Sequence, residues 1–127
     1  MLRKILMIFT LSLSLFGASL NWEKSYHEAK EKALKENKQL FLMVSSPKCP
    51  ECSYMKKKVF SQAKIKKYIN QNYITYQFLH KSEEIPKDMK MWGIPRIYIS
   101  KGDDKVIGKL FGGVKAPKLL KFLKNSK

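Results

Sequence analysis

The chain has 127 residues, with 26 Lys+Arg against 10 Asp+Glu and only two cysteines. That length holds one domain of ordinary size, and a hydrophobic fraction of 44% with seven Phe, six Tyr and two Trp excludes global disorder. Two cysteines supply neither the several bridges of a disulfide-stapled mini-protein nor a four-cysteine zinc site, and the net charge of +16 raises nucleic acid as a partner to be weighed against the rest of the chain.

Residues 1–19 read MLRKILMIFTLSLSLFGAS. Arg3 and Lys4 form a basic head, Ile5 to Phe16 an apolar run broken only by Thr10, Ser12 and Ser14, and Gly17, Ala18 and Ser19 a small-residue cleavage site. This is the three-part pattern of a secretory signal peptide. The run is too short for a comfortable membrane span of about 20 residues. An uncleaved anchor and a buried first helix are the competing readings. Cleavage is favoured because a polar amphipathic segment starts at once from Asn21. No cysteine sits at the small-residue site, so a lipid-anchored form is not indicated. The expected division is a signal peptide at 1–19 and one domain at 20–127. Cleavage removes Arg3 and Lys4 and lowers the net charge by two. Outside the cytoplasm the Lys-rich surface acts on solubility and on encounter with acidic proteins or anionic lipid head groups. There, two nearby cysteines form a disulfide or handle disulfides.

Along the mature chain, Trp22 to Asn37 is predicted helical. Trp22, Tyr26, Ala29 and Ala33 recur on one face, and Glu28–Lys32 and Glu31–Lys35 stand at helical contact spacing. Gln39 to Ser45 (QLFLMVS) is a continuous apolar run, as in a strand buried on both sides. From Pro50 a second helix runs through Met55, Val59 and Phe60, kinks near Ser61, and continues through Ala63, Ile65, Tyr68 and Ile69. Tyr73 to Leu79 (YITYQFL) is a β-branched and aromatic strand. His80 to Met91 is polar, with one helical turn after Pro86. Arg96 to Ser100 and Lys105 to Phe111 are strands joined by the turn Lys101-Gly102-Asp103-Asp104, hence a hairpin. Ala116 to Asn125 is a last amphipathic helix with Leu119, Leu120 and Leu123 on its apolar side and Pro117 in its first turn. The lysines are spread over every element, which reads as solvated helix faces and not as a nucleic-acid groove.

The chemistry concentrates at Cys49-Pro50-Glu51-Cys52, between a buried strand and a helix. A thiol at a helix N-terminus meets unpaired N–H groups and the positive end of the macrodipole. These lower its pKa from ~8.5 toward ~3.5–7.5, and the thiolate is the attacking species in disulfide exchange. Cys52 lies one turn deeper and can resolve a mixed disulfide, so Cys49 is the expected nucleophile and Cys52 the resolving thiol. A c-type haem site needs His after the second cysteine, where Ser53 stands. Zinc needs two further ligands, and His27 and His80 lack a ligand-like spacing, so no metal is assigned. A purely structural disulfide is the main alternative, although so small a loop removes little unfolded-state entropy.

These residues resemble the thioredoxin-like superfamily. The strand FLMVSS, the loop carrying Cys49 to Cys52 and the following helix are similar to its active-site region. Trp92-Gly93-Ile94-Pro95 resembles its Gly-Ile-Pro loop, whose proline is cis and faces the cysteines. The hairpin, Gly112-Gly113 and the last helix resemble its C-terminal half. The resemblance covers roughly Trp22 to Lys124, and is closest to small exported members with a Trp-containing first helix and a Cys-x-x-Cys-x-x-Met motif, here Cys49 to Met55. It implies an α/β thioredoxin fold, with a central mixed β-sheet of about four strands flanked by helices. Pro95 offers no N–H, and the backbone of Ile94 could pair with an extended substrate; an ordinary trans proline at a strand start is the alternative. The family's buried Asp, six residues before the first cysteine, is Met43 here. Its Trp before the first cysteine is Lys48, and the intervening dipeptide is Pro50-Glu51. Lys48 favours the thiolate of Cys49 and Glu51 opposes it, both screened if exposed. Arg96, a bulky cation after Pro95, selects acidic substrates or points to solvent, and the second is expected.

The leading expectation is a periplasmic thiol–disulfide oxidoreductase with no cofactor. It would exchange disulfides with exported proteins and with a membrane thiol-electron donor or acceptor, acting as a monomer in the reducing direction. An oxidising role is the sub-alternative, since Cys-Pro-x-Cys also resembles oxidant and glutaredoxin-like motifs; an isomerase lacks a dimerisation domain here. The rival is a non-catalytic binding protein on the same scaffold, its basic surface holding a partner or an anionic membrane. A nucleic-acid binder ranks third.

Overall fold

The computed structural model describes residues 20–126; the segment 1–19 expected to be a signal peptide lies outside the described residues. The apolar run at 39–45 forms strand β1 (Gln39–Ser45), buried at every position but the first. It lies within a four-stranded sheet of order β2-β1-β3-β4, with β2 at Tyr73–Leu79, β3 at Arg96–Ser100 and β4 at Val106–Phe111. β1 runs parallel to β2 and antiparallel to β3. β3 and β4 form the expected antiparallel hairpin. The result is the mixed α/β sheet flanked by helices that the sequence implied.

Side chains alternate along a strand, so β1 feeds two cores. Phe41 and Met43 enter one, with Cys52, Ile65, Ile69, Leu119 and Leu123. Leu40, Leu42 and Val44 enter the other, with Tyr26, Ala29, Phe78 and Tyr98. Each such side chain stabilises the fold by roughly 1.5–3 kcal/mol on burial. A charge placed at Leu42 would therefore cost both its burial and the desolvation of the new group.

Helix α1 spans Tyr26–Glu36, four residues shorter at its start than predicted. Ser25 ends it on the N-terminal side: its Oγ accepts the Glu28 N–H at 3.0 Å, satisfying a donor the helix leaves open. Trp22 is therefore not helical. It bridges Thr75 in parallel fashion, the Glu23 N–H donates to Thr75 O, and the indole packs near Phe41 and Phe60. The predicted intrahelical pairs are also replaced. Lys32 reaches Glu23 at 3.0 Å, and Glu31 lies 3.0 Å from His27.

The predicted second helix is three pieces. Helix α2 covers Pro50–Tyr54, a π-helical turn covers Met55–Val59, and helix α3 covers Ala63–Asn72. The π-turn closes with the Phe60 N–H on Met55 O at 2.8 Å, and the chain breaks around Ser61 as expected. A 3-10 turn at Lys87–Met89 follows Pro86. Helix α4 spans Ala116–Asn125 and buries Leu119 and Leu123. Among the described residues no helix is long and apolar enough to cross a membrane.

Four tyrosine hydroxyls are held neutral by this packing. Burial lifts Tyr26 well above its ordinary value, reinforced by its hydrogen bond to Asp104 across the hairpin turn. Burial pushes Tyr73 up to about 12, helped by the neighbouring Tyr68. It also pushes Tyr76 up to about 12, with Glu84 accepting from its hydroxyl. Burial raises Tyr98 too, against the opposing pull of Arg96. A raised folded-state pKa stabilises the fold fully below the unfolded value, here 10.0, and that contribution is lost as pH rises through the folded value. Urea unfolding across pH should show this contribution intact below pH 10.0 and falling toward about 12. Native-state tyrosinate absorbance showing Tyr73 and Tyr76 ionised at pH 10.0 would contradict the assignment.

Candidate active site

β1 ends at Ser45, and a short turn returns the chain so that the Cys49 N–H meets Ser46 O at 3.3 Å. Cys49 is the N-cap of α2, with extended backbone (φ −104°, ψ 108°), and Pro50 occupies the first turn. A proline there loses nothing, since its missing N–H would have had no helical partner. The Cys49 sulfur accepts the Cys52 N–H at 3.1 Å. An N–H aimed at that sulfur stabilises it more as an anion than as a thiol. Cys49 and Cys52 are joined as a disulfide with Cα atoms 5.2 Å apart. Cys49 is 8% exposed and Cys52 1%, so Cys49 is the more accessible of the two to an incoming sulfur.

The second marker is drawn to the first by one loop. The Ile94–Pro95 peptide bond is cis, Pro95 is buried and Ile94 half-buried. Between β4 and α4, three successive N–H groups make three different ties. Gly112 donates to Pro95 O at 2.8 Å, Gly113 to Glu51 Oε2 at 3.1 Å, and Val114 to Met55 Sδ at 3.3 Å. The loop therefore spans from the proline to the helix that carries the cysteines. Gly112 has φ of 81°, a conformation that a β-carbon disfavours.

Of the expected tuning residues, Lys48, Pro50 and Glu51 are all exposed. Glu51 is occupied by the Gly113 N–H, a use its sequence position did not suggest. Met43 is fully buried where the resembled family carries its carboxylate. A polar group was nevertheless missed nearby. Lys56 Nζ donates to Ser45 Oγ at 3.3 Å, and Ser45 Oγ donates to Gln77 Oε1 at 2.5 Å. Burial lowers the Lys56 pKa. The available signal was that Ser45 shares a strand face with Met43.

Arg96 overturns its expectation. It does not point to solvent: it is 2% exposed. Its Nε donates to Met89 O at 3.2 Å and to the Tyr98 hydroxyl at 3.1 Å, Nη1 to Gly93 O at 3.0 Å, and Nη2 to Met89 O at 3.1 Å. The guanidinium thus clamps both ends of the segment leading into Pro95. The residue left outside is Trp92, 97% exposed. Among the described residues no three His, Cys, Asp or Glu side chains gather as a metal site would require.

Comparison with known proteins matches the thioredoxin-like domain family over residues 26–127. No curated protein is matched. Three solved structures share the fold. A thioredoxin from Thermus thermophilus is 22% identical with a TM-score of 0.72, covering 84% of this chain and 86% of its own. The oxidised C-terminal domain of DsbD from Neisseria meningitidis is 21% identical with a TM-score of 0.67, covering 80% and 92%. A DsbH oxidoreductase is 18% identical with a TM-score of 0.66, covering 93% and 91%.

Arg96→Met should cost about 1–3 kcal/mol in urea unfolding, because it strips charged donors from buried acceptors. Amide exchange should accelerate across residues 89–95. Unchanged stability together with unchanged exchange would show that the clamp does not hold this segment.

Proposed function

The chain belongs to the thioredoxin-like domain family, and from that premise we propose that it is a periplasmic enzyme reducing disulfides of exported proteins through Cys49 and Cys52. It carries the fold and the cysteine pair of a thiol–disulfide oxidoreductase. The observation that carries the reading is the unequal pair at a helix N-terminus: one cysteine slightly exposed, its sulfur receiving an N–H, the other fully buried.

The cycle follows from that inequality. In the dithiol form the Cys49 thiolate attacks one sulfur of a substrate disulfide. A Cys49–substrate disulfide forms, and the other substrate sulfur leaves as thiolate and takes up a proton. The Cys52 thiol gives up its proton and attacks Cys49 Sγ, forming the Cys49–Cys52 bond and releasing the second substrate thiol. The substrate gains two electrons and the protein loses two. A thiol donor, proposed to be membrane-borne, restores the dithiol. Ile94 and Pro95 are proposed to receive the substrate backbone in strand-like fashion. Lys48, Pro50 and Glu51 are proposed to tune the Cys49 thiolate. The protein works as a monomer, and its basic surface favours acidic partners or an anionic membrane face over nucleic acid.

The wild type should turn over a small disulfide, and Cys52→Ala should trap a mixed disulfide through Cys49. Equilibration with thiol buffers should give a potential near thioredoxin's ~ −270 mV. Absence of turnover would support the non-catalytic binding alternative, and a potential near ~ −120 mV would reverse the proposed direction.

A further inference from the structure

At the carboxyl ends of the parallel strands β1 and β2, the sheet end from which the chain turns toward Cys49, lies a cavity of about 330 Å³, and this is the end of an α/β sheet at which ligand sites form. One wall is the turn after β2, whose His80 N–H donates to Ser45 O at the end of β1. The other is Lys90 to Trp92, the run into Pro95. Its charge is lopsided: Lys81, Lys90 and Arg96 line it against the single carboxylate of Glu83. The ion pairs among the described residues involve none of these three cations. Arg96 is the sharpest case, since among the described residues its buried charge is met by carbonyl oxygens and a hydroxyl. His80 Nδ1 is buried without a hydrogen-bond partner.

We propose that this cavity is a substrate subsite that takes an acidic side chain, Asp or Glu, of the polypeptide whose cysteine reacts at Cys49. The inference rests on the oxidoreductase function proposed above and adds the class of polypeptide it selects. A carboxylate entering the cavity meets an excess of positive charge, Lys81, Lys90 and Arg96 against Glu83, in partly desolvated surroundings, where charge attraction is stronger than in water. The polypeptide is the source of that carboxylate because the rim is built for one. Trp92 stands almost fully exposed on it, and Met91 beside it is 46% exposed. Lys90, Met91 and Trp92 also wall a second cavity reaching Phe111 on β4. Aromatic side chains displayed in this way anchor protein contacts. Trp92 stands two residues before Ile94, so a chain held at Ile94 passes within reach of it. The net charge, +16 for the full chain and lower by two without Arg3 and Lys4, draws acidic partners toward the protein.

The test uses two single-cysteine peptides that differ only in Glu against Gln beside the cysteine. The peptide thiolate attacks Cys49 Sγ of the oxidised protein, forming a mixed disulfide and expelling the Cys52 thiolate, which takes up a proton. At fixed, low ionic strength the Glu peptide should react about tenfold faster. The double substitution K81E/K90E should erase that preference. K118E/K121E makes the same charge change on α4 and should preserve it. Equal rates for the two peptides with wild type, or equal loss of preference in both double variants, would overturn the subsite. A cysteine-free Glu peptide should change the tryptophan fluorescence of the wild type and leave that of Trp92→Phe unchanged. N-acetylglutamate binding as tightly as that peptide would assign the cavity to a small carboxylate and overturn the polypeptide claim. Failure of β-mercaptoethanol to react with the oxidised protein would instead refute the oxidoreductase function, and the fluorescence titration would still decide the subsite.

Discussion

The Cys52 N–H, in the first turn of α2, is aimed at the Cys49 sulfur, and the rest of the site is arranged around that fact. Cys49 receives the Cys52 N–H because β1 ends at Ser45 and only three residues, 46–48, separate the strand from the helix N-cap. The strand is pinned on both sides by neighbours, parallel to β2 and antiparallel to β3, and buried on both faces. A thiol carried on a loose loop would not hold this alignment. Here the two cores on either side of β1 set the position of the helix start, so core packing and thiol chemistry are one problem.

The same economy joins the proline segment to the cysteines. Gly112, Gly113 and Val114 donate in turn to Pro95, Glu51 and Met55, tying three chain segments far apart in sequence. From the opposite side Arg96 grips Met89 and Gly93. The segment between these anchors exposes Met91 and Trp92 while its ends stay fixed. A frame held at both ends with an apolar crest suits contact with a polypeptide, and the cations behind the crest are the basis of the charge preference proposed for it.

How much of this was legible depended on whether the signal was carried by side chains. β1 and β2 match the predicted bounds because continuous apolar and β-branched runs have no other economical place. Helix α4 matches for the same reason, its leucines recurring at helical spacing. Trp22 misled because its spacing of four from Tyr26 mimics a helix face, while the Ser25 cap between them ends the helix. The π-turn left no trace, since Met55 and Val59 keep ordinary helical spacing and the change is in the backbone hydrogen bond. Arg96 was misplaced because its acceptors at Met89 and Gly93 are backbone carbonyls, which any residue supplies. The cysteine motif and the Gly-Ile-Pro segment could be read in advance, but the loop joining them acts through backbone N–H groups and became visible only in three dimensions.

The decisive measurement is the rate of alkylation of each thiol in the reduced protein as a function of pH, read site by site by mass spectrometry. If the helix start governs the chemistry, Cys49 reacts first and its rate reaches a plateau below the ordinary thiol pKa of ~8.5, within the ~3.5–7.5 range of helix-terminal thiols. Cys52 stays slow until Cys49 is blocked or the protein is unfolded. A Cys49 whose reactivity keeps rising through pH ~8.5, or a Cys52 that is alkylated first, would contradict this arrangement.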